Sequence, residues 1–283
     1  MSRATFTPLA RRTFVLGLLM AGLALPGSAK SKPRPAAVPV PSPSPCPTPA
    51  PAQPPEARRG LEIKWVRDSG EYAAAARQVY LFAAQAVSAG AASARAEDAR
   101  RGVATGPLAV VLDLDETALD NSVYQLERDT YGLDFDAGSW DAWVERGQAG
   151  AVPGAADFVA GARALGVRVV WLSNRDHAAA DVTRRNMQAL GLWGADDTLC
   201  LKVDRASSDK AARRAQVRSG DGACGLGAPA RVLAYVGDQL GDFPADGEES
   251  EPARRAECVG ARCFLLPNPM YGSWTRAVTR PRP

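Results

Sequence analysis

Five consecutive apolar residues, Leu108-Ala109-Val110-Val111-Leu112, stop at an aspartate, and a second aspartate, Asp115, follows two positions later. A short run with no polar alternation has no solvent face, the pattern of a strand covered on both sides in a parallel sheet. Similar runs recur at 167–172, 198–202, 231–236 and 262–266, with helical stretches predicted over 153–165, 178–190 and 208–218. Alternation of this kind implies an α/β fold, a doubly wound parallel sheet with helices on both faces. Residues 70–101 are Ala-rich, with apolar positions at helical spacing, and predict one long helix or two ahead of the first strand.

In a parallel sheet of this type, functional groups collect at the C-terminal ends of the strands. The first strand leads into Asp113-Leu114-Asp115-Glu116-Thr117 and the second into Ser173-Asn174-Arg175. Lys210 lies past the third, and the fourth leads into Gly237-Asp238-Gln239-Leu240-Gly241-Asp242. Together these ends make a pocket of aspartates, one lysine and small hydroxyl and amide donors. Crowded carboxylates repel, and burial increases the penalty. A hard divalent cation relieves it, and an all-oxygen site suits Mg²⁺. Such a pocket can place an attacking carboxylate against phosphorus. Lys210, Ser173 and Asn174 would hold phosphoryl oxygens, and a second carboxyl group would exchange the proton. Lys210 at a helix start opposes the macrodipole, which favours it over Lys202 as the working lysine. The lone histidine, His177, is poorly suited to phosphohistidine chemistry, which needs further basic groups, and to poly-histidine metal sites.

The resemblance carried by these residues is specific. Asp113-Leu114-Asp115-Glu116-Thr117, Lys210 and Gly237-Asp238-x-x-x-Asp242 resemble the haloacid dehalogenase superfamily. Further motifs resemble the class C bacterial acid phosphatases, the lipoprotein e type of 5′-nucleotidase. They are Trp65-Val66-x-x-Ser69-Gly70-Glu71-Tyr72, Leu119-Asp120-Asn121-Ser122-x-Tyr124, Trp140-x-x-Trp143 and Leu266-Pro267-Asn268-Pro269-x-Tyr271-Gly272-x-Trp274. The resemblance implies Asp113 as nucleophile and Mg²⁺ ligand, and Asp115 as general acid/base with its backbone carbonyl on the metal. It implies Asp238 as the third protein ligand, and Asp242 as the group that orients Lys210 or water of the metal shell. Ser173 and Asn174 would bind the phosphoryl group, and residues 118–152 would form a small cap. Nucleoside monophosphates are the expected substrates, with Tyr124, Trp140, Trp143 and Tyr271 as candidate base-stacking residues. Trp65 and Trp274 are expected in the core.

Three segments are expected along the chain: a signal peptide at 1–29, a Pro/Ala-rich spacer at 30–60, and the phosphatase domain at 61–283. Arg11-Arg12, a short apolar stretch and small residues near Ala29 read as an export signal of the twin-arginine or Sec type, directing the protein to the periplasm or beyond. Cys46 lies among prolines rather than directly after the apolar stretch, so no lipid anchor is expected. Of the remaining cysteines, Cys258 can pair with Cys263 and Cys200 with Cys224. The formal charge of +3 comes from scattered residues, so no nucleic acid polymer is expected as a partner. The chain's pattern leaves the oligomeric state open, a homodimer included. A phosphotransferase, or a non-catalytic phosphoester-binding or storage protein, are the rival readings. The second carboxylate, Asp115, argues against a pure binder.

Overall fold

A computed structural model describes residues 60–204, 207–248 and 258–276. The expected signal segment, spacer and Cys46 lie outside the described residues. The chain enters through α1 (Leu61–Asp68) and turns at Ser69 into α2 (Gly70–Arg101), one continuous helix rather than two. The Ser69 hydroxyl caps α2 by accepting from the Tyr72 amide at 3.0 Å, satisfying one orphan donor of the first turn. Its buried positions are Tyr72, Ala76, Tyr80, Ala83, Val87, Ala91 and Ala94. Spacings of three and four residues keep them on one stripe, and small residues predominate, so the helix lies close against the sheet.

The first strand, β1 (Leu108–Leu112), is buried throughout. An insertion follows: β2 (Leu119–Asp120), α3 (Ser122–Thr130), α4 (Ala137–Arg146) and β3 (Gly150–Ala151), with β2 and β3 paired antiparallel. The alternating core then runs α5 (Ala155–Ala164), β4 (Arg168–Asp176), α6 (Ala180–Ala189), β5 (Thr198–Lys202), α7 (Ala211–Ser219), β6 (Arg231–Gly237) and β7 (Cys263–Leu265). The sheet order is β5-β4-β1-β6-β7, and every ladder is parallel. β1 is therefore central. Leu108, Val110 and Leu112 point into the core under α2 and α5, whereas Val111 joins Val170, Val217, Tyr235 and Phe243 on the opposite face. The unbroken apolar run of β1 reflects burial on both faces.

β4 extends beyond the predicted 167–172. It resumes pairing at Asp176 opposite Lys202 after a register irregularity that begins at Leu172. Ser173, Asn174 and Arg175 occupy this irregular stretch, and irregularities of this kind re-aim side chains at strand ends. α7 starts three residues later than expected and leaves Lys210 at the N-cap position. Both expected disulfides are present, Cys200–Cys224 and Cys258–Cys263, and both belong to an oxidising compartment. The first links β5 to the glycine-rich loop after α7, so the loop at 219–230 is tethered to the sheet. Among the described residues, no helix is long and apolar enough to cross a membrane.

Candidate active site

Asp113 immediately follows β1, and its amide donates to the Val236 carbonyl at 3.0 Å, extending the ladder to β6. The nucleophile candidate is therefore held by the sheet itself. The next turn is tight: Ala118 and Leu119 amides both donate to Leu114, and the Glu116 amide donates to Leu119. Glu116 adopts φ 56°, a left-handed conformation that is uncommon outside glycine and is held here by its surroundings. α2 reaches the same turn. The buried Tyr80 hydroxyl donates to the Thr117 carbonyl at 2.6 Å.

Across the sheet, β6 delivers Asp238 and the short turn at Leu240–Asp242. Gly237 makes this approach possible, because a Cβ there would lie 2.4 Å from the Cβ and carboxylate of Asp242. Carboxylate oxygens of Asp113, Asp238 and Asp242 all lie within 4.8 Å of one another. Lys210 is 4% exposed, and its ammonium bridges two of them, 2.6 Å from Asp113 Oδ1 and 2.6 Å from Asp242 Oδ1. Lys210, not Lys202, is the lysine that meets these carboxylates: Lys202 sits on β5 opposite Asp176.

The electrostatics follow from this crowding. Burial pushes the Asp113 carboxyl up to about 7; Lys210 opposes that, and Asp242 and Asp115 add to it. Burial likewise holds Asp238 well above the ordinary range, with Asp113 and Asp242 reinforcing the shift and Asn268 and Lys210 countering it. Burial works against the Lys210 ammonium, but Asp113 and Asp242 outweigh it and raise its pKa. Asp238 accepts from the Asn268 amide at 2.8 Å through Oδ2, while its buried Oδ1 has no hydrogen-bond partner. Asp242 accepts from Lys210 through Oδ1 and from the Gln239 amide, at 2.9 Å, through Oδ2. An orphaned buried oxygen beside crowded carboxylates fits a hard divalent cation. Asp113 and Asp238 are better placed to ligate it than Asp242, whose oxygens are already committed.

Asp115 is gripped from the second motif. Arg175 donates to its Oδ1 through Nη2 at 2.8 Å and through Nε at 3.0 Å, and Asn121 Nδ2 donates at 2.9 Å. The Ser173 hydroxyl lies 3.5 Å from Oδ2. Arg175 and Asn121 received no role from the sequence, although both stand inside quoted motifs. The signal was a charged residue at the end of an apolar strand. Asn174 departs from expectation. Its amide nitrogen donates to the Ser208 carbonyl at 3.0 Å and its oxygen accepts from Arg213, so its side chain ties β4 to the segment carrying Lys210. One N–H of its amide stays free of these two bonds.

The aromatic candidates separate. Trp143 and Tyr124 are 2% and 3% exposed, and Tyr124 packs on Trp143 and edge-on against Trp140. The Trp143 indole donates to Asn121 Oδ1 at 2.9 Å, and the Tyr124 hydroxyl pairs with Ser139 at 2.9 Å. This corrects the stacking expectation for these two, whose ring faces are spent on packing within the insertion. Trp140 is half-buried over the Arg175 guanidinium, 5.9 Å from the ring centroid. Tyr271 is half-buried beside Asn268, whose Oδ1 accepts from its amide at 3.4 Å. Trp274, expected in the core, is 52% exposed, and its indole donates to the Asn268 and Tyr271 carbonyls. Trp65 is half-buried, edge-on to Tyr72.

Four carboxylates and a lysine therefore gather at the C-terminal edge of a parallel sheet in an α/β protein. Residues 51–274 match the family described as HAD superfamily, subfamily IIIB (Acid phosphatase), and the chain belongs to it. The class C acid phosphatase from Bacillus anthracis superposes with a TM-score of 0.59 at 27% identity, covering 76% of this chain and 85% of that one. Its tungstate-bound form gives 0.56 over the same shares. The stem 31 kDa glycoprotein of Glycine max is 31% identical over 169 residues, and acid phosphatase 1 of Solanum lycopersicum is 30% identical over 171. The chain spans 58% and 57% of the lengths of these two relatives.

Proposed function

We propose that this protein is an exported, Mg²⁺-dependent acid phosphatase that hydrolyses phosphomonoesters, nucleoside monophosphates among them, through a phosphoryl group carried on Asp113. The observation that carries the reading is the Lys210 bridge between Asp113 and Asp242, beside an Asp238 oxygen with no partner. A site built only to bind an anion would not gather carboxylates. The tungstate bound by the Bacillus anthracis neighbour, a phosphate-like oxyanion, supports the same class of ligand.

Asp113, Asp238 and the backbone carbonyl of Asp115 would hold the cation, which when bound offsets repulsion between the carboxylates and the phosphate ester. An Asp113 oxygen forms a bond to phosphorus, and the ester P–O bond breaks in line. The departing oxygen takes the proton of Asp115. In the second half, Asp115 accepts a proton from water as that water attacks phosphorus, and the Asp113 carboxylate is released with inorganic phosphate. Lys210 holds Asp113 in one orientation and offers charge to the phosphoryl oxygens, and Ser173 lies next to Asp115 on the same side. Tyr271, half-buried and one residue away through Asn268 from Asp238, is the aromatic assigned to meet a base. The disulfides and the export signal together support a periplasmic or secreted location.

Purified protein assayed on a panel of phosphomonoesters, with and without chelator, tests the proposal. The expected result is hydrolysis that chelator abolishes and Mg²⁺ restores; full activity in excess chelator refutes the metal dependence.

A further inference from the structure

The two oxygens of Asp115 are treated very differently. Oδ1 receives three donors, Arg175 Nη2 at 2.8 Å, Asn121 Nδ2 at 2.9 Å and Arg175 Nε at 3.0 Å. Oδ2 receives only long contacts, Arg175 Nε at 3.3 Å and Ser173 Oγ at 3.5 Å. A carboxylate oxygen offers about two lone-pair directions, so Oδ1 has no room for a proton of its own. A buried arginine that merely needed a counter-ion would be expected to share its fork between both oxygens. Here two elements instead converge on one of them.

The donors are themselves fixed. Asn121 is fully buried and uses its whole amide: Nδ2 donates to Asp115 and to the Leu119 carbonyl, and Oδ1 accepts from Trp143 Nε1 and Arg175 Nη2. Arg175 is buried, donates through Nη1 to Thr183 Oγ1 of α6 at 3.3 Å, and lies beneath the Trp140 ring. Trp140 and Trp143 both belong to α4. The insertion therefore reaches Asp115 through the Trp143 hydrogen bond to Asn121 and the Trp140 ring over Arg175.

We propose that Arg175 and Asn121 are positioning residues that dedicate Oδ1 of Asp115 to the protein and leave Oδ2 as the atom that exchanges the proton with the leaving oxygen, with Trp143 locking Asn121 in place. This rests on the reading of Asp115 as the proton donor. In the bond-making step the proton leaves Oδ2, the leaving oxygen gains it, and the electron pair left on Oδ2 is stabilised by the donors on Oδ1. No further reactant is needed.

The test is leaving-group sensitivity, which a merely structural role does not move. We compare kcat/KM on ethyl phosphate and p-nitrophenyl phosphate for Asp115→Asn, Arg175→Lys, Asn121→Ala and Trp143→Phe, with melting temperature as the check on folding. A positioned general acid contributes about 10²–10⁴-fold, and p-nitrophenolate leaves with little help. Arg175→Lys and Asn121→Ala should lose at least ~10-fold more on ethyl phosphate than on p-nitrophenyl phosphate. Trp143→Phe keeps an aromatic ring but deletes the donor to Asn121, and should show the same bias more weakly, so the idea stays testable should the other variants fail to fold. Equal losses on both substrates in folded variants, alongside a biased loss in Asp115→Asn, overturn the positioning proposal alone. Equal losses in Asp115→Asn itself overturn the proton-donor reading and this inference with it.

Discussion

Lys210→Met isolates what the lysine does for the fold. Its ammonium is 2.6 Å from each of two carboxylates, and all three side chains are at most 10% exposed. Removing one partner of a buried ion pair costs about 3–5 kcal/mol, because the other charge stays buried and uncompensated. At about 2–4 °C per kcal/mol for a domain of this size, the metal-free variant should melt roughly 6–20 °C below the wild type at pH 8. The pH dependence separates charge from packing. Asp113 is already pushed up to about 7 by burial, and Lys210 works against that rise. Without the lysine the carboxyl titrates higher still. A carboxyl whose folded pKa is raised favours the fold below its unfolded value, and that contribution is lost as pH rises through the folded value. The melting gap should therefore narrow at pH 5, where Asp113 is protonated, and widen at pH 8. Thermal melts in chelator at the two pH values measure it. A gap of the same size at both refutes the electrostatic account and leaves only lost side-chain packing. A gap below about 2 °C at pH 8 would show that Lys210 does not hold these carboxylates.

Four further outcomes follow from the same geometry. Saturating Mg²⁺, at about 100 times its Kd, should stabilise the wild type by about 2.7 kcal/mol, or roughly 5–11 °C. The rise should be larger at pH 8 than at pH 5, where a proton on Asp113 competes, and Asp238→Asn should abolish most of it. Gly237→Ala places a methyl group 2.4 Å from Asp242, so activity should fall by as much as ~100-fold with little change in substrate ranking; near wild-type kcat/KM would show that Asp242 is not needed where it stands. Trp143→Ala should cost about 3–5 kcal/mol of stability and lower AMP and glycerol phosphate, both alkyl phosphates, in parallel. Tyr271→Ala should instead lose roughly 5- to 150-fold on AMP relative to glycerol phosphate, from about 1–3 kcal/mol of stacking, at unchanged melting temperature.

The sheet and the gathering of aspartates at its edge were legible because two physical rules act locally. An apolar run without alternation marks a doubly covered strand, and residues just past such strands meet at one edge. Asp113, Asp115, Asp238 and Asp242 follow from those rules, and Lys210 from its electrostatically poor place at a helix start. Orientation was not legible. Asn174 and Arg175 are adjacent on an irregular strand end, yet one turns to Arg213 and Ser208 and the other crosses to Asp115. No local pattern encodes that choice, which is settled by partners tens of residues away. Tyr124 and Trp143 were misplaced for the same reason. They stand on two short helices whose mutual packing, set by the turn at Asp136 and the capping of α4, decides that they face each other and not the cleft. Trp274 lies past the last strand, where no periodicity marks burial, and it covers the Asn268 loop from outside.

The central claim is that Asp113 carries the phosphoryl group. Labelled substrate mixed with enzyme and Mg²⁺, quenched in acid within one turnover and digested, reads this directly by mass spectrometry. The account predicts a phosphoryl group on the peptide containing Asp113, released by hydroxylamine, and none on Asp113→Asn. A wild-type enzyme that turns over while Asp113 stays unmodified at every quench time, or a label found on another residue, would contradict it.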